Sequence, residues 1–182
     1  GLASGVILGS GRVIDVVGPN TSSNTGTDLG QTGDSDLDLL IPGYSTNDAS
    51  VLEFDFTCPG GGGAAEISFR YVFTSEEYNE WVGSQYNDVF GFFLNGTNIA
   101  LLPDGVTTVA INNVNNGTNP TYYIDNAGPS PVDIEADGLT VVLTAQGAVN
   151  PGANHMKLAI ADAGDYILDS WVFLEENSFE CN

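Results

Sequence analysis

The chain has 182 residues, 42% of them hydrophobic, which suits one domain with a sizeable core and excludes a disordered acidic tail. Its 24 Asp and Glu outnumber 3 Lys and Arg, for a formal charge of −21. Phosphate and anionic lipid surfaces need clustered cations, so nucleic acid and anionic membranes are excluded as partners.

No run of 18 apolar residues marks a membrane-spanning helix. The chain begins at Gly1 without Met, as a mature secreted protein with its signal removed, or an excised domain, would. Residues 2–17 read as two short β segments with a turn or bulge around Gly9, Ser10 and Gly11. Leu2, Val6, Ile7 and Leu8 make the first segment apolar enough to complete a sheet, either its own or, as a donated strand, that of a neighbouring copy. A long loop follows over 18–49, rich in Gly, Asn, Thr and Ser; such loops are usually functional or disordered. Within it Asp34, Asp36 and Asp38 alternate like the start of an EF-hand, but Leu39, Leu40 and Ile41 replace the glycine and closing Glu. These three acids are the weaker metal candidates; alternatively Ser35 or Asp36 caps a short helical turn over 37–41.

Leu52, Phe54 and Phe56 alternate with Glu53, Asp55 and Thr57, which predicts a half-buried strand over 50–57. A flexible Pro-Gly run at 59–63 follows, and no GK[ST] makes it a phosphate loop. Ile67, Phe69, Tyr71 and Phe73 predict a second strand with one buried face, and the apolar run 89–94 predicts either a central strand packed on both sides or a strand end covered by a loop. Asn95-Gly96 signals a hairpin into 99–102. Further short strands are predicted around 107–111, 122–124, 139–144 and 155–161. Helical periodicity is absent beyond two turns, so the expected fold is all-β: a single antiparallel β-sandwich, jelly-roll-like, with long acidic and Asn/Gly-rich loops.

The densest stretch is 71–94, where the connection between two strands carries Glu76, Glu77, Glu80, Asn87 and Asp88 beside Tyr78, Trp81 and Tyr86. A second cluster, Asp162, Asp165 and Asp169 around Gly164, precedes the last strand-like segment. Oxygen ligands on loops between rigid strands are what calcium takes, and Arg12, Arg70 and Lys157 are the whole supply of Lys and Arg to neutralise them. The expected ligands are Glu76, Glu77, Asn87, Asp88, Asp162, Asp165 and Asp169; the alternative is solvated acidic turns. Cys58 and Cys181 are expected to form a disulfide anchoring the tail, against two unrelated thiols.

The strings FTSEEYNEWVGSQYNDVFGFFLNG, NIALLP, VAINNVN and KLAIADAGDYILDSWVFLEENSF, together with LASGVILGSGRV and GPNTSSNTGTDLG, resemble the choice-of-anchor L domain. The resemblance spans nearly the whole chain. It implies a secreted bacterial surface domain and supplies no catalytic residue or ligand.

An enzyme is not expected. The lone His155 opens an apolar strand, zinc and Cys/His sites lack parts, and the adjacent Glu76 and Glu77 point opposite ways on an extended segment. The leading expectation is an extracellular, calcium-stabilised structural or adhesive module at the cell surface. Its partners would be copies of itself, assembled into filaments or tubes, or cell-surface and matrix components. The alternative is a carbohydrate-binding module in which Tyr78, Trp81, Tyr86 or Trp171 stacks on sugar faces.

Overall fold

The computed structural model describes residues 2–58, 65–129 and 131–181; the glycine run expected at 59–63 lies outside them. In chain order the strands are β1 (Gly5–Gly9), β2 (Thr46–Thr57), β3 (Glu66–Ser75), β4 (Val89–Leu94), β5 (Thr97–Asn98), β6 (Tyr123–Asp125), β7 (Gly138–Thr140), β8 (Leu143–Ala148), β9 (Ala153–Ala163), β10 (Ser170–Glu175) and β11 (Glu180–Cys181). A short helix, α1 (Ser35–Leu40), precedes β2.

The strands form two antiparallel sheets. One has seven strands, ordered β1-β10-β3-β7-β6, with β8 and β11 also paired to β3; the other has four, ordered β2-β9-β4-β5. The chain passes from one sheet to the other between β1 and β2, β2 and β3, β3 and β4, β5 and β6, β8 and β9, and β9 and β10, the alternation a jelly-roll-like sandwich requires. Strand alternation produces the core directly. Ile67, Phe69, Tyr71 and Phe73 of β3 are buried against Phe90 and Phe92 of β4 and Met156, Leu158 and Ile160 of β9, with Phe69 stacked on Phe92 at 4.9 Å between ring centres. The outer face of β4 is not wet, because Leu37 and Ile41 cover Val89, Phe93, Ala159 and Ala161. That cover explains why β4 reads as continuously apolar.

Several expected elements are adjusted. The second N-terminal β segment is a short 3-10 helix (Val13–Val16), and the loop expected to run to 49 ends in α1 and the first residues of β2. The cap of α1 is Asp34, whose side chain accepts from the amides of Asp36 and Leu37, rather than Ser35 or Asp36. The stretch 139–144 divides between β7 and β8, and 107–111 contributes isolated bridges, Leu101 to Thr108 and Val89 to Ala110. The Asn95-Gly96 turn has positive φ at both residues, 52° and 84°, as a two-residue hairpin demands, but β5 after it is only Thr97–Asn98.

β1 belongs to the seven-stranded sheet of its own chain. It pairs antiparallel with β10, from Gly5 opposite Glu175 to Gly9 opposite Trp171, since the free edge of β10 is within reach of its own N-terminal segment. Cys58 and Cys181 are joined in a disulfide across 123 residues, tying the end of β2 to β11.

Candidate functional site

Strand register collects the acidic residues at one end of the sandwich. Ser75, the last residue of β3, lies opposite Ser170 of β10 and Gly138 of β7. One step further along, Glu76 falls between Asp169 on one side and Asp137 on the other. The amide of Glu76 donates to the Asp169 carbonyl at 3.1 Å, which continues the ladder. In the facing sheet Val89 lies opposite Ala161, so the next step sets Asp88 beside Asp162. Three cross-strand neighbours on one sheet rim therefore meet two on the other. Like charges directly opposite one another destabilise a sheet unless something neutralises them.

These groups are buried. Glu76, Asp88 and Asp169 have no exposed surface, and Asp162 retains 1%. Asp88 is fully partnered and joins the sheets: one oxygen accepts from the amide of Ala163 at 2.8 Å, the other from the Ser170 hydroxyl at 2.7 Å. The others are not. Asp169 accepts from the amide of Thr27 at 3.0 Å through Oδ1 and leaves Oδ2 without a partner, as Glu76 leaves Oε1 and Glu77 leaves Oε2. Neither oxygen of Asp162 has a partner; the Ser10 hydroxyl, on the same side, instead donates to the Ser170 carbonyl at 3.3 Å. Buried polar atoms are nearly always hydrogen-bonded, so this concentration at one rim calls for an explanation.

Burial raises all of these carboxyls, and mutual repulsion adds to it. Glu76 is pushed up to about 9 by desolvation and then by Asp137, Glu135 and Asp169. Asp169 is pushed up to about 6, first by burial. Glu77, Asp88 and Asp162 are all raised, each by burial first. The Lys and Arg residues are engaged elsewhere. Arg12 approaches Asp15 at 3.9 Å, Arg70 pairs with Glu175, and Lys157 bridges Asp34 and Asp36 at 2.6 and 2.7 Å.

That last pairing engages two of the weaker metal candidates. Asp34 caps α1 and binds Lys157, Asp36 shares the same lysine, and Asp38 accepts from the amide and hydroxyl of Thr46. Among the seven leading candidates, Asn87 is buried but uses its Oδ1 to brace the amide of Asn112 at 2.8 Å. Asp165 sits half-buried on the rim, its Oδ1 accepting from the amide of Ile167. The remaining five come together. Among the described residues no group of three His, Cys, Asp or Glu side chains is placed to hold one metal ion. The donors are nonetheless hard oxygens without nitrogen or sulfur, which suits calcium and not zinc.

Three buried acids escape the sequence reading: Asp48, Glu135 and Asp137. Asp48 sits at φ 46° and accepts from the amides of Leu29 and Gln31. Glu135 and Asp137 carried a legible signal, since Asp133, Glu135 and Asp137 alternate with Val132, Ile134 and Ala136.

Two of the four candidate stacking aromatics are core. Tyr78 and Trp171 have no exposed surface; the Tyr78 hydroxyl donates to the Val114 carbonyl at 2.6 Å and the Trp171 indole to the Arg12 carbonyl at 3.2 Å. An enclosed ring cannot meet a sugar. Trp81, 43% exposed, and Tyr86 stand edge to face at 5.0 Å, lining a cleft of about 250 Å³ that also reaches Glu77 and Asp165. His155 lies on the surface between Glu53 and Asp55. Among the described residues no helix is long and apolar enough to cross a membrane.

The family model for the choice-of-anchor L domain matches residues 1–180, and the chain belongs to that family. Membership points to a surface-associated bacterial module. No curated protein and no solved structure matches the chain.

Proposed function

We propose that this domain is an extracellular structural and adhesive surface module whose acidic end is closed by calcium. The observation that carries the reading is the set of buried, unpartnered carboxylate oxygens on Glu76, Glu77, Asp162 and Asp169, with no Lys or Arg among them. Burying carboxylates costs several kcal/mol unless they are protonated, paired or bound to metal. Outside the cell, where calcium is millimolar and protons are scarce, an ion is the available remedy. Asp88, which already bridges the two sheets, would stand beside Asp162 and Asp169 as a ligand or as their brace.

Calcium at about a hundred times its dissociation constant adds roughly 2.7 kcal/mol to the stability of a protein that binds it only when folded. Melting of the chelated protein should therefore rise when millimolar calcium is restored. An unchanged melting temperature overturns the reading.

Self-assembly extends the same proposal. Copies that each carry −21 repel one another, and divalent ions between them would offset that repulsion. The outer edge of β1 is unpaired, so a filament could grow by pairing there, or by β1 leaving β10 to complete a neighbour. Electron microscopy with and without calcium tests assembly. A monodisperse monomer under both conditions removes this extension and leaves the calcium reading intact.

A second reading, calcium-dependent carbohydrate binding, is favoured by the cleft of Trp81 and Tyr86 beside Glu77 and Asp165. Exposed aromatics next to hydroxyl-binding carboxylates suit a sugar face. Trp81→Ala should abolish glycan binding and leave the fold untouched; equal binding by both proteins rejects this use of the cleft.

A further inference from the structure

We infer that a second hard divalent cation, of the calcium class, binds between Glu76 and Asp137 on the β7 side of β3, with Glu135 holding the loop that encloses it. It ties the loop over 20–25 to the sandwich. The inference rests on the calcium reading above and extends it to a second site that shares Glu76 and adds Asp137 and Glu135.

The strands supply the geometry. Glu76 follows Ser75 of β3, and Asp137 precedes Gly138 of β7, whose residues pair with each other. Glu76 and Asp137 are thus cross-strand neighbours one step beyond the last pair of the ladder. Glu135, two residues before Asp137, acts on both Glu76 and Asp137 by charge and takes donors from the same loop. All three are buried, with Glu76 at 0%, Asp137 at 2% and Glu135 at 6% exposed. Glu76 Oε1 and Asp137 Oδ2 have no hydrogen-bond partner, and the register places the two residues side by side on one face. Two neighbouring buried anions with a free oxygen each leave a position for a cation.

The loop encloses that position. The amide of Thr21 donates to Glu135 Oε2 at 3.0 Å, and the Thr25 hydroxyl to Glu135 Oε1 at 3.1 Å. Asn20 Nδ2 donates to Asp137 Oδ1 at 2.7 Å, and the amide of Thr25 reaches Glu76 Oε2 at 3.5 Å. These donors are neutral. The other charged groups acting on the set, Asp169, Glu80 and Asp125, are acids as well. Without an ion, a loop with no regular structure of its own is folded over three negative charges. With one, the threonine hydroxyls and loop carbonyls are available as the neutral oxygens that calcium adds to its carboxylates in irregular six- to eight-fold shells. Magnesium, which demands a near-ideal octahedron and keeps its water, fits such a mixed and buried set less well. An open cleft of about 360 Å³ between Asn20, Thr21, Glu80 and Asp137 gives an ion a path from solvent.

Calorimetric titration of the whole chain with calcium chloride, paired with amide hydrogen exchange, tests the inference. Wild type should bind one ion that Asp137→Asn removes and another that Asp162→Asn removes. Added calcium should slow exchange at Thr21 and Thr25 at least tenfold in wild type and leave them unchanged in D137N. If wild type binds calcium while exchange at Thr21 and Thr25 is unmoved, the second site is wrong whatever the variants do. If D162N loses every ion and D137N none, the second site falls and the first survives. No binding by wild type overturns both.

Discussion

Replacing Asp169 with Asn in calcium-free protein should stabilise it at neutral pH, although the residue is fully buried and hydrogen-bonded. Asp169 Oδ1 accepts from the Thr27 amide, an acceptor the amide side chain retains, while Oδ2 has no partner to lose. What the substitution removes is the charge. Burial, aided by Asp15 and Asp48, holds this carboxyl at about 6 against an ordinary 3.8. Because the folded value lies above the unfolded one, its stability contribution is complete below pH 3.8 and is lost as pH rises through 6. Above pH 6 the loss amounts to about 3 kcal/mol at 1.36 kcal/mol per pH unit. For a domain of this length that is worth roughly 6–12 °C in melting temperature. The assay is thermal unfolding of wild type and D169N in chelator at pH 3 and pH 7.5. Equal melting at the acidic pH and a higher value for the variant at the neutral one are expected. Calcium at pH 7.5 should reverse the order, since the variant has lost a ligand oxygen. A variant that is less stable in chelator at both pH values would show that Asp169 acts as an ordinary hydrogen-bonded brace, and the argument from its charge would fail.

Glu76, pushed up to about 9, has the same sign over a wider window, so the calcium-free protein should lose stability steadily between about pH 4.5 and 9; calcium should flatten the profile, as denaturant titration at several pH values will show. Removing the disulfide as the Cys58→Ser, Cys181→Ser double variant should cost about 5 kcal/mol in the chain-entropy model for a loop of 123 residues, measured as a lowered denaturant midpoint. Leu37→Ala should cost roughly 2–5 kcal/mol, because Leu37 is wholly buried between α1 and the outer face of β4; a loss below about 1 kcal/mol would mean that α1 is not a structural cover.

Period-two alternation made the first half of β3 legible, where Ile67 and Phe69 are buried and Glu66 and Arg70 exposed, and the second half of β2, where half-buried Phe54 and Phe56 alternate with exposed Glu53, Asp55 and Thr57. It failed where neighbours changed the rule. Val13–Val16 has the composition of a strand but turns into a 3-10 helix, its Val16 packing with Ala136 and Trp171 outside the sheet. Tyr78 and Trp171 looked like loop aromatics because they sit among acids and turn residues; in space they lie under those residues, closing the core. Asp34, Asp36 and Asp38 stand out by spacing alone; that Lys157, more than a hundred residues away, pairs with the first two is a contact no local pattern carries. The disulfide and the acidic end were visible from the scarcity of their counterparts: two cysteines with no third choice, and 24 acids with 3 Lys and Arg.

The placement of the acids follows from the sandwich itself. Glu76, Asp88, Asp137, Asp162 and Asp169 all stand at or next to the end of a strand, where the ladder gives out and backbone groups would otherwise turn to water. A carboxylate there can take amides from an incoming loop, as Asp169 takes Thr27 and Asp48 takes Leu29, so the same residues that repel one another also gather the long N-terminal loop onto the rim. Removing the charge by protonation keeps the sheets intact but weakens the acceptors that hold the loop. Binding a divalent ion removes the repulsion and keeps the acceptors. On this argument loop order is the property that distinguishes the two remedies: acid and calcium should both raise the melting temperature, whereas calcium alone should protect the amides of Leu29, Thr27 and Thr21 from exchange. Equal protection by a pH 4.5 buffer and by calcium at pH 7.5, after correction for intrinsic exchange rates, would show that neutralising the rim is sufficient and that no ion-specific geometry is needed.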